Sequence, residues 1–310
     1  MSASNHLVSN NIQVHEIQSP SRAVLLMRTA PKVLRQMSKE VPRIILPAPY
    51  APNPKAWPDT GIHAAWLGHS TVFLKVDGYT ILTDPVFSDR VGIELGPVTV
   101  GIKRLVSPAL QPEDLPHPNL ILLSHAHMDH FDRPSLRALW SDHTSVVTAF
   151  RTSDLLRVRR YHSVQELGWG ETVRVGAATV KAFEVNHWGA RVRTDTYRGF
   201  NGYVIEIGRR RILFGGDTAL TDNFKSVKTS KPIDFAIMPI GAYDPWIRFH
   251  CNPEQAMKMA NDAGAERILP VHHQTFQLSR EPRHEPIDRL IEATGADRVC
   301  LQDIGQEFHL

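Results

Sequence analysis

The stretch Ser124-His125-Ala126-His127-Met128-Asp129-His130 narrows the range of folds more than any other part of this chain. Three imidazoles and a carboxylate crowd together directly after the apolar run Leu120-Ile121-Leu122-Leu123. Such a run reads as a buried strand, so the polar cluster leaves the strand end on a loop. Asp132 as cap and Pro134 in a first turn open a helix expected from Arg133 to Trp140. Strand, polar loop and helix in that order is where α/β proteins build their sites. One isolated histidine is usually a satisfied surface or core residue. Four metal-capable side chains at this density repel or compete unless a cation holds them together. The cluster reads as a metal site.

The bulk properties limit what surrounds it. A chain of 310 residues with 42% hydrophobic and 22% charged residues is long enough for a full globular core. A net charge of +3 gives no ground for nucleic acid as a partner. Two cysteines, Cys251 and Cys300, make no disulfide framework and fit a reducing compartment. The start Met-Ser-Ala-Ser-Asn-His lacks the basic and apolar regions of a signal peptide. No run approaches the ~18 apolar residues of a membrane span. A cytoplasmic protein is expected, at most associated with a membrane at its periphery.

Residues 1–50 read as an arm and linker, and residues 51–310 as a single domain. Within the arm, Ser21 to Glu40 is weakly amphipathic and basic, interrupted by Pro31. Docking onto the domain is the simpler expectation for it, contact with an anionic membrane surface the alternative. The prolines from Pro42 to Pro58 mark extended linker.

Two hairpins then frame the chain. Thr71 to Val76, a turn at Asp77-Gly78, and Tyr79 to Thr83 form the first, which runs into Asp84. Tyr203 to Ile207, a turn at Gly208-Arg209, and Arg210 to Phe214 form the second, which runs into Asp217. Each ends in an Asp at a strand terminus, a pseudo-repeat that brings the strand ends of two halves to one edge. Between them, alternation over Lys181 to His187 puts Phe183, Val185 and His187 on one strand face. Asn252-Pro253-Glu254 opens a helix that Gly264 stops, and Arg267 to Val271 leads back to His272 and His273. Strands alternating with helices give an α/β layered domain, sheets inside and helices outside. The cations at 209–211 fit a solvated hairpin tip, and Arg157, Arg159 and Arg160 an exposed helix end.

Four strand ends therefore each deliver a ligand-type residue. His125, His127 and His187 form one tripod; Asp129, His130 and His272 form a second; Asp217 can bridge them. Three protein ligands with a remaining open position is the catalytic style of zinc site. The His-x-His-x-Asp-His motif with downstream His, Asp and His resembles the metallo-β-lactamase fold, which implies a four-layer αββα sandwich and a dinuclear centre. Asp84 is then implied to stand behind the ligands. Within that superfamily, further stretches are most similar to the N-acylphosphatidylethanolamine-hydrolysing phospholipase D group. They include Trp66-Leu-Gly-His-Ser-Thr-Val, Leu82-Thr-Asp-Pro-Val-Phe-Ser, Phe214-Gly-Gly-Asp-Thr, Pro239-Ile-Gly-Ala-Tyr-Asp-Pro and His272-His-Gln-Thr-Phe. The resemblance covers about residues 57–305 and leaves the arm out. Its pattern favours His272 over His273 as ligand. His127 stands where redox relatives carry Glu, which implies hydrolysis.

Two divalent ions against Asp129, Asp217 and a bridging hydroxide leave a net charge of about +1, suited to an anionic transition state. The expected enzyme is thus a metal-dependent hydrolase, most simply a phosphodiesterase in which a metal-bridging hydroxide attacks. Asp129 would orient it, and His250 would protonate the leaving group or contact the phosphate. His69 and Tyr243 are further candidates for lining the site, whereas Cys251 lacks a base to activate it. Zinc suits the donors, with iron or manganese able to use the same frame. The substrate is an anionic small molecule or lipid, and nucleic acid is not expected. The alternative is a lactonase or sugar-phosphate hydrolase of the ascorbate-6-phosphate lactonase type; a nuclease or a non-catalytic metal-binding protein has less support.

Overall fold

The computed structural model describes residues 42–96, 98–156 and 160–310. The Ser21–Glu40 segment, Arg157 and Arg159 lie outside the described residues. From Arg43 to Leu310 the chain forms one compact unit.

Its first half holds β1 (Ile62–Gly68), β2 (Thr71–Val76), β3 (Tyr79–Thr83), β4 (Arg90–Leu95), β5 (Val98–Lys103), β6 (Leu120–Leu123), β7 (Ser145–Ala149) and β8 (Ser163–Leu167). The second holds β9 (Thr172–Val175), β10 (Ala178–Phe183), β11 (Gly202–Ile207), β12 (Arg210–Phe214), β13 (Phe235–Pro239), β14 (Ile268–Val271) and β15 (Glu307–His309). The described α-helices are α1 (Arg133–Ala138), α2 (Pro253–Ala263) and α3 (Glu285–Thr294), with short 3-10 turns between elements. One sheet has the order β15-β1-β2-β3-β6-β7-β8 and the other β14-β13-β12-β11-β10-β9, with β4 and β5 paired apart from both.

Alternation along each strand explains the layering. On β1, Ile62, Ala64 and Trp66 join the cluster between the sheets, which also takes Ile205, Ile212 and Phe214 from the other half. Ala65 and Leu67 point the other way, into a cluster with Leu136 of α1. The second sheet sends Val204 and Leu213 outward to meet Met257 and Ala260 of α2 and Leu290 of α3. Helix, sheet, sheet, helix: the architecture is the αββα sandwich.

The hairpin pseudo-repeat is a property of the fold. Going from β1 through β2, β3 and β6 to β7, the pairings are antiparallel, antiparallel, parallel, parallel. From β10 through β11, β12 and β13 to β14 the same sequence of pairings recurs. Asp77 and Gly78 turn the first hairpin with positive φ values of 45° and 83°, as a two-residue turn requires. Helix α2 starts at a capping box between Asn252 and Gln255 and stops at left-handed Gly264.

Three expectations need correction. Helix α1, capped by Asp132, stops at Ala138 rather than Trp140. Strand β10 ends at Phe183, so His187 lies on the following loop and does not share a strand face with Phe183 and Val185. Arg211 is buried, not solvated, because its guanidinium donates to the Glu206 carboxylate (2.8 Å), the Thr229 hydroxyl and the Val227 and Lys231 carbonyls. A cation so fully partnered can leave water.

Candidate metal centre

Every ligand-type residue anticipated from the sequence sits on a segment that follows a strand, at the same edge of the sandwich. The loop after β6 carries His125 to His130, the loop after β10 His187, the turn after β12 Asp217, and the end of β14 His272. Close approach between the halves depends on Gly216, at φ 58°, because a Cβ there would stand 2.8 Å from the Asn201 carbonyl oxygen and 2.9 Å from Ser124 Cβ. Asp217 is thereby delivered to the middle of the histidines.

Hydrogen bonds fix which nitrogen of His125 and of His187 faces inward. His187 Nδ1 donates to the Phe249 carbonyl (2.9 Å), so its Nε2 carries a lone pair. The Ser124 hydroxyl donates to Asp84 Oδ2 (2.5 Å) and so accepts from His125 Nδ1 (2.8 Å), which leaves His125 Nε2 bare. Those two Nε2 atoms converge on His127 Nδ1, at 2.8 Å from His125 and 3.2 Å from His187. Burial holds all three imidazoles below their usual pKa, His125 and His187 far below. Neutral rings aiming lone pairs at one point are a cation site.

The second group is built the same way. Asp84, itself held by the Ser124 backbone N–H (2.7 Å), accepts from His130 Nδ1 at 2.7 Å. His130 Nε2 then faces Asp217 Oδ2 at 3.2 Å, and His272 Nε2 stands at 3.2 Å from the same oxygen. Asp129 Oδ2 lies 3.6 Å from His272 Nε2 and 3.7 Å from His130 Nε2. The same Asp217 oxygen reaches within 3.8 Å of His187 Nε2 in the first group, a position from which one carboxylate can serve both. Burial alone would raise Asp129 and Asp217, yet His130 and its neighbours hold both carboxyls well below the usual range. In return, the two carboxylates overcome burial and push His272 up to about 9. Two buried carboxylates and two ring nitrogens thus draw positive charge to one point, which a divalent ion would supply without protons.

The residues fit such ions on independent grounds. His130 Nε2, His272 Nε2 and Asp217 Oδ1 are buried with no hydrogen-bond partner, a costly arrangement unless something occupies the space between them. Donor atoms of His125, His127 and His187 lie within 4.8 Å of one another, as do those of His69, Asp129, His130 and His272.

His273 is turned away, stacked on Trp66 at 4.5 Å between ring centroids. His250 lies at the rim, its Nδ1 3.6 Å from Asp217 Oδ2, and burial brings its pKa down to about 4. The Tyr243 hydroxyl points away, donating to Glu285 at 2.7 Å. Cys251 is buried, its thiol on the Pro239 carbonyl and its pKa pushed up by burial, which leaves it no part in the chemistry. The walls of the site come from residues outside the motifs. A cleft of about 500 Å³ opens on His127, Asp129 and Asp217 between the β4–β5 hairpin (Val91, Ile102) and Trp188 and Trp246. Exposed Ile93, Leu95 and Val98 at the hairpin tip, and Trp246, Ile247 and Phe249 opposite, continue this apolar character outward. No signal in single residues marks these positions, since scattered surface apolar side chains are ordinary.

Residues 79–273 match the family model described as the beta-lactamase superfamily domain. The chain belongs to the metallo-β-lactamase superfamily. It is a metal-dependent hydrolase with a His/Asp cluster able to bind metal. Within the superfamily it falls in the phospholipase D-like group. N-acyl-phosphatidylethanolamine-hydrolyzing phospholipase D 1 of Caenorhabditis elegans is 30% identical over 263 residues, 79% of this chain and 73% of the relative. An uncharacterized protein of Mycobacterium tuberculosis is 32% identical over 271 residues, 82% of this chain and 71% of the relative. Among solved structures, isothiocyanate hydrolase from Delia radicum gut bacteria shares the fold with a TM-score of 0.63 and 18% identity, covering 80% of this chain and all of that one (100%). Among the described residues no helix is long and apolar enough to cross a membrane.

Proposed function

We propose that this hydrolase is a dinuclear phosphodiesterase of the N-acylphosphatidylethanolamine phospholipase D type. The observation that carries the reading is an apolar-walled cleft opening directly on His127, Asp129 and Asp217, in a chain similar to a phospholipase named for that lipid. His125, His127 and His187 would hold one divalent ion, Asp129, His130 and His272 the other, with Asp217 between them. Zinc suits these donors, and iron or manganese fits the same frame. Two such ions would lower the pKa of a bound water from ~15.7 toward ~7 and neutralise phosphoryl oxygens.

The chain's own residues do the rest. Asp129, ionised and 18% exposed toward the cleft, accepts a hydrogen bond from the attacking water and sets its direction. Oxygen adds to phosphorus, the bond to the distal alkoxide breaks, and that alkoxide leaves as the alcohol with a proton given up by the attacking water. His250, neutral at pH 7 with its pKa near 4, acts as a phosphate contact rather than as the acid. Asp84 keeps His130 and, through Ser124, His125 in the metal-facing tautomer. Acyl chains lie along Val91, Ile102, Trp188 and Trp246. The exposed apolar rim supports work at the periphery of a membrane, in a cytoplasmic protein whose residues 1–50 are an arm that joins the hydrolase domain of 51–310 from Arg43 onward.

Purified protein given bis(p-nitrophenyl) phosphate, N-acylphosphatidylethanolamine in vesicles and a panel of lactones tests the reading. Hydrolysis of both diesters, with phosphatidic acid released from the lipid, is expected. Lactone turnover without diesterase activity would overturn it in favour of the ascorbate-6-phosphate lactonase type.

A further inference from the structure

We propose that His69 is a ligand of the second metal, which gives that ion a donor set of His69, Asp129, His130 and His272 beside Asp217. The inference rests on the dinuclear reading. His69 Nε2 stands 3.1 Å from Asp129 Oδ2. That oxygen is also the one 3.6 Å from His272 Nε2 and 3.7 Å from His130 Nε2. Donor atoms from the four residues all lie within 4.8 Å of one another. Atoms bound at ~2.1 Å around one ion stand roughly 3.0–3.4 Å apart, the shorter value at higher coordination, so these spacings suit a shared coordination sphere.

The internal repeat leads to the same residue. Matching the strands by their pairing sets β1 on β10 and β3 on β12. Asp84 and Asp217 then follow equivalent strands, and so do His69 and His187, which come directly after β1 and shortly after β10. His187 faces the first group of donors, and His69 faces the second. Each half of the sandwich thus sends one histidine from the start of its hairpin unit to the metal centre.

Local backbone geometry fixes where the His69 ring lies. His69 has φ 51°, a left-handed conformation that costs a residue with a Cβ about 1 kcal/mol. Three hydrogen bonds impose it: its N–H donates to the Thr275 hydroxyl (2.6 Å), and its carbonyl accepts from Trp66 Nε1 (2.7 Å) and the His272 N–H (3.0 Å). The result is a fully buried ring 4.2 Å from that of His272. The two-residue turn at His69-Ser70, with Gly68 paired to Thr71 across β1 and β2, itself calls for positive φ, and those hydrogen bonds aim the ring at His272.

Metal binding tests this without reference to turnover. Wild type, His69→Gln and His187→Gln would be loaded with Zn²⁺ or Co²⁺, titrated with a chelator and analysed for ions per chain. Wild type should hold two; His69→Gln should keep the ion at His125, His127 and His187 and yield the other to chelator at least about tenfold more easily. His187→Gln should show the converse. In wild type loaded with ¹¹³Cd and ring-¹⁵N histidine, scalar coupling between ¹¹³Cd and the His69 ring is expected, and this decides the matter if the variant does not fold. Two ions held by His69→Gln with wild-type affinity, or no such coupling, would overturn the inference and leave His69 as a hydrogen-bond donor to Asp129. A wild type that binds one ion would overturn the dinuclear reading as well.

Discussion

Asp84 and Asp217 end equivalent hairpins in the two halves of the sandwich, yet their surroundings give them opposite work. Asp84 has no exposed surface, and both its oxygens are taken, by the Ser124 N–H and hydroxyl and by His130 Nδ1. Asp217 is equally buried, but its Oδ1 has no partner and its Oδ2 faces the lone-pair side of two imidazoles at 3.2 Å. A carboxylate whose oxygens are saturated by N–H and O–H donors orients other groups. One set among bare acceptors calls for a cation. The repeat supplies two acids at one edge, and the donors that meet each acid decide which supports and which binds.

Substitutions can break this contrast, and the largest effect should come from Asp217→Asn. Loss of a charge shared by both groups should lower kcat/KM by about three orders of magnitude or more, several kcal/mol of transition-state stabilisation. A fall of less than tenfold would remove Asp217 from its place between the ions. Asp84→Asn should cost less, roughly 10- to 100-fold in activity and metal affinity, because it frees the tautomers of His130 and His125 while every ligand stays in place. If it matched Asp217→Asn, the two acids would not differ in kind.

His250→Asn should lower kcat about tenfold through a lost phosphate contact, with no change in ions bound per chain. A smaller effect separates the floor of the cleft from its rim. Replacing Ile93 and Trp246, 58% and 49% exposed, with Ser should raise KM for vesicular lipid several-fold. Turnover of bis(p-nitrophenyl) phosphate should not change, and equal losses on both substrates would place the rim in the chemistry.

The smallest effect concerns a device that the first half has and the second lacks. Glu94 ties the β4–β5 hairpin to Arg133 and Arg137 of α1 at 2.6 and 2.7 Å. Burial raises the Glu94 carboxyl, but the hydrogen bonds from Arg133 and Arg137 outweigh it and hold its pKa below 4.5. A depressed carboxyl contributes stability above its unfolded pKa and loses it as pH falls through the folded value. Glu94→Gln should therefore cost about 1 kcal/mol or less near neutral pH. The difference between variant and wild type in thermal melts should vanish in acid.

The parts of this molecule that could be read from its sequence are those written in local chemistry. Asp77-Gly78 and Gly208-Arg209 specify their turns, Asn252 and Gly264 bracket α2, and the spacing within 125–130 announces a metal site. Where a side chain's role depends on a distant partner, the reading stops short. Arg211 looked like a hairpin tip because Glu206, Thr229 and Lys231 meet it only in the fold. The β4–β5 pairing and the seat of β15 on β1 rest on tertiary contacts without a strong turn or periodic signal. The same holds for Trp188 and Trp246, which become cleft walls only when the loops after β10 and β13 come together. His69, a lining candidate within its motif, gains a direction only from Asp129 and His272.

Anomalous diffraction from crystals grown with zinc, collected on both sides of the metal edge, tests the central claim most directly. Two peaks are predicted, one among His125, His127 and His187 and one among Asp129, His130 and His272, with Asp217 between them and none at Asp84. A single peak, or density against Asp84 in place of Asp217, would contradict the account.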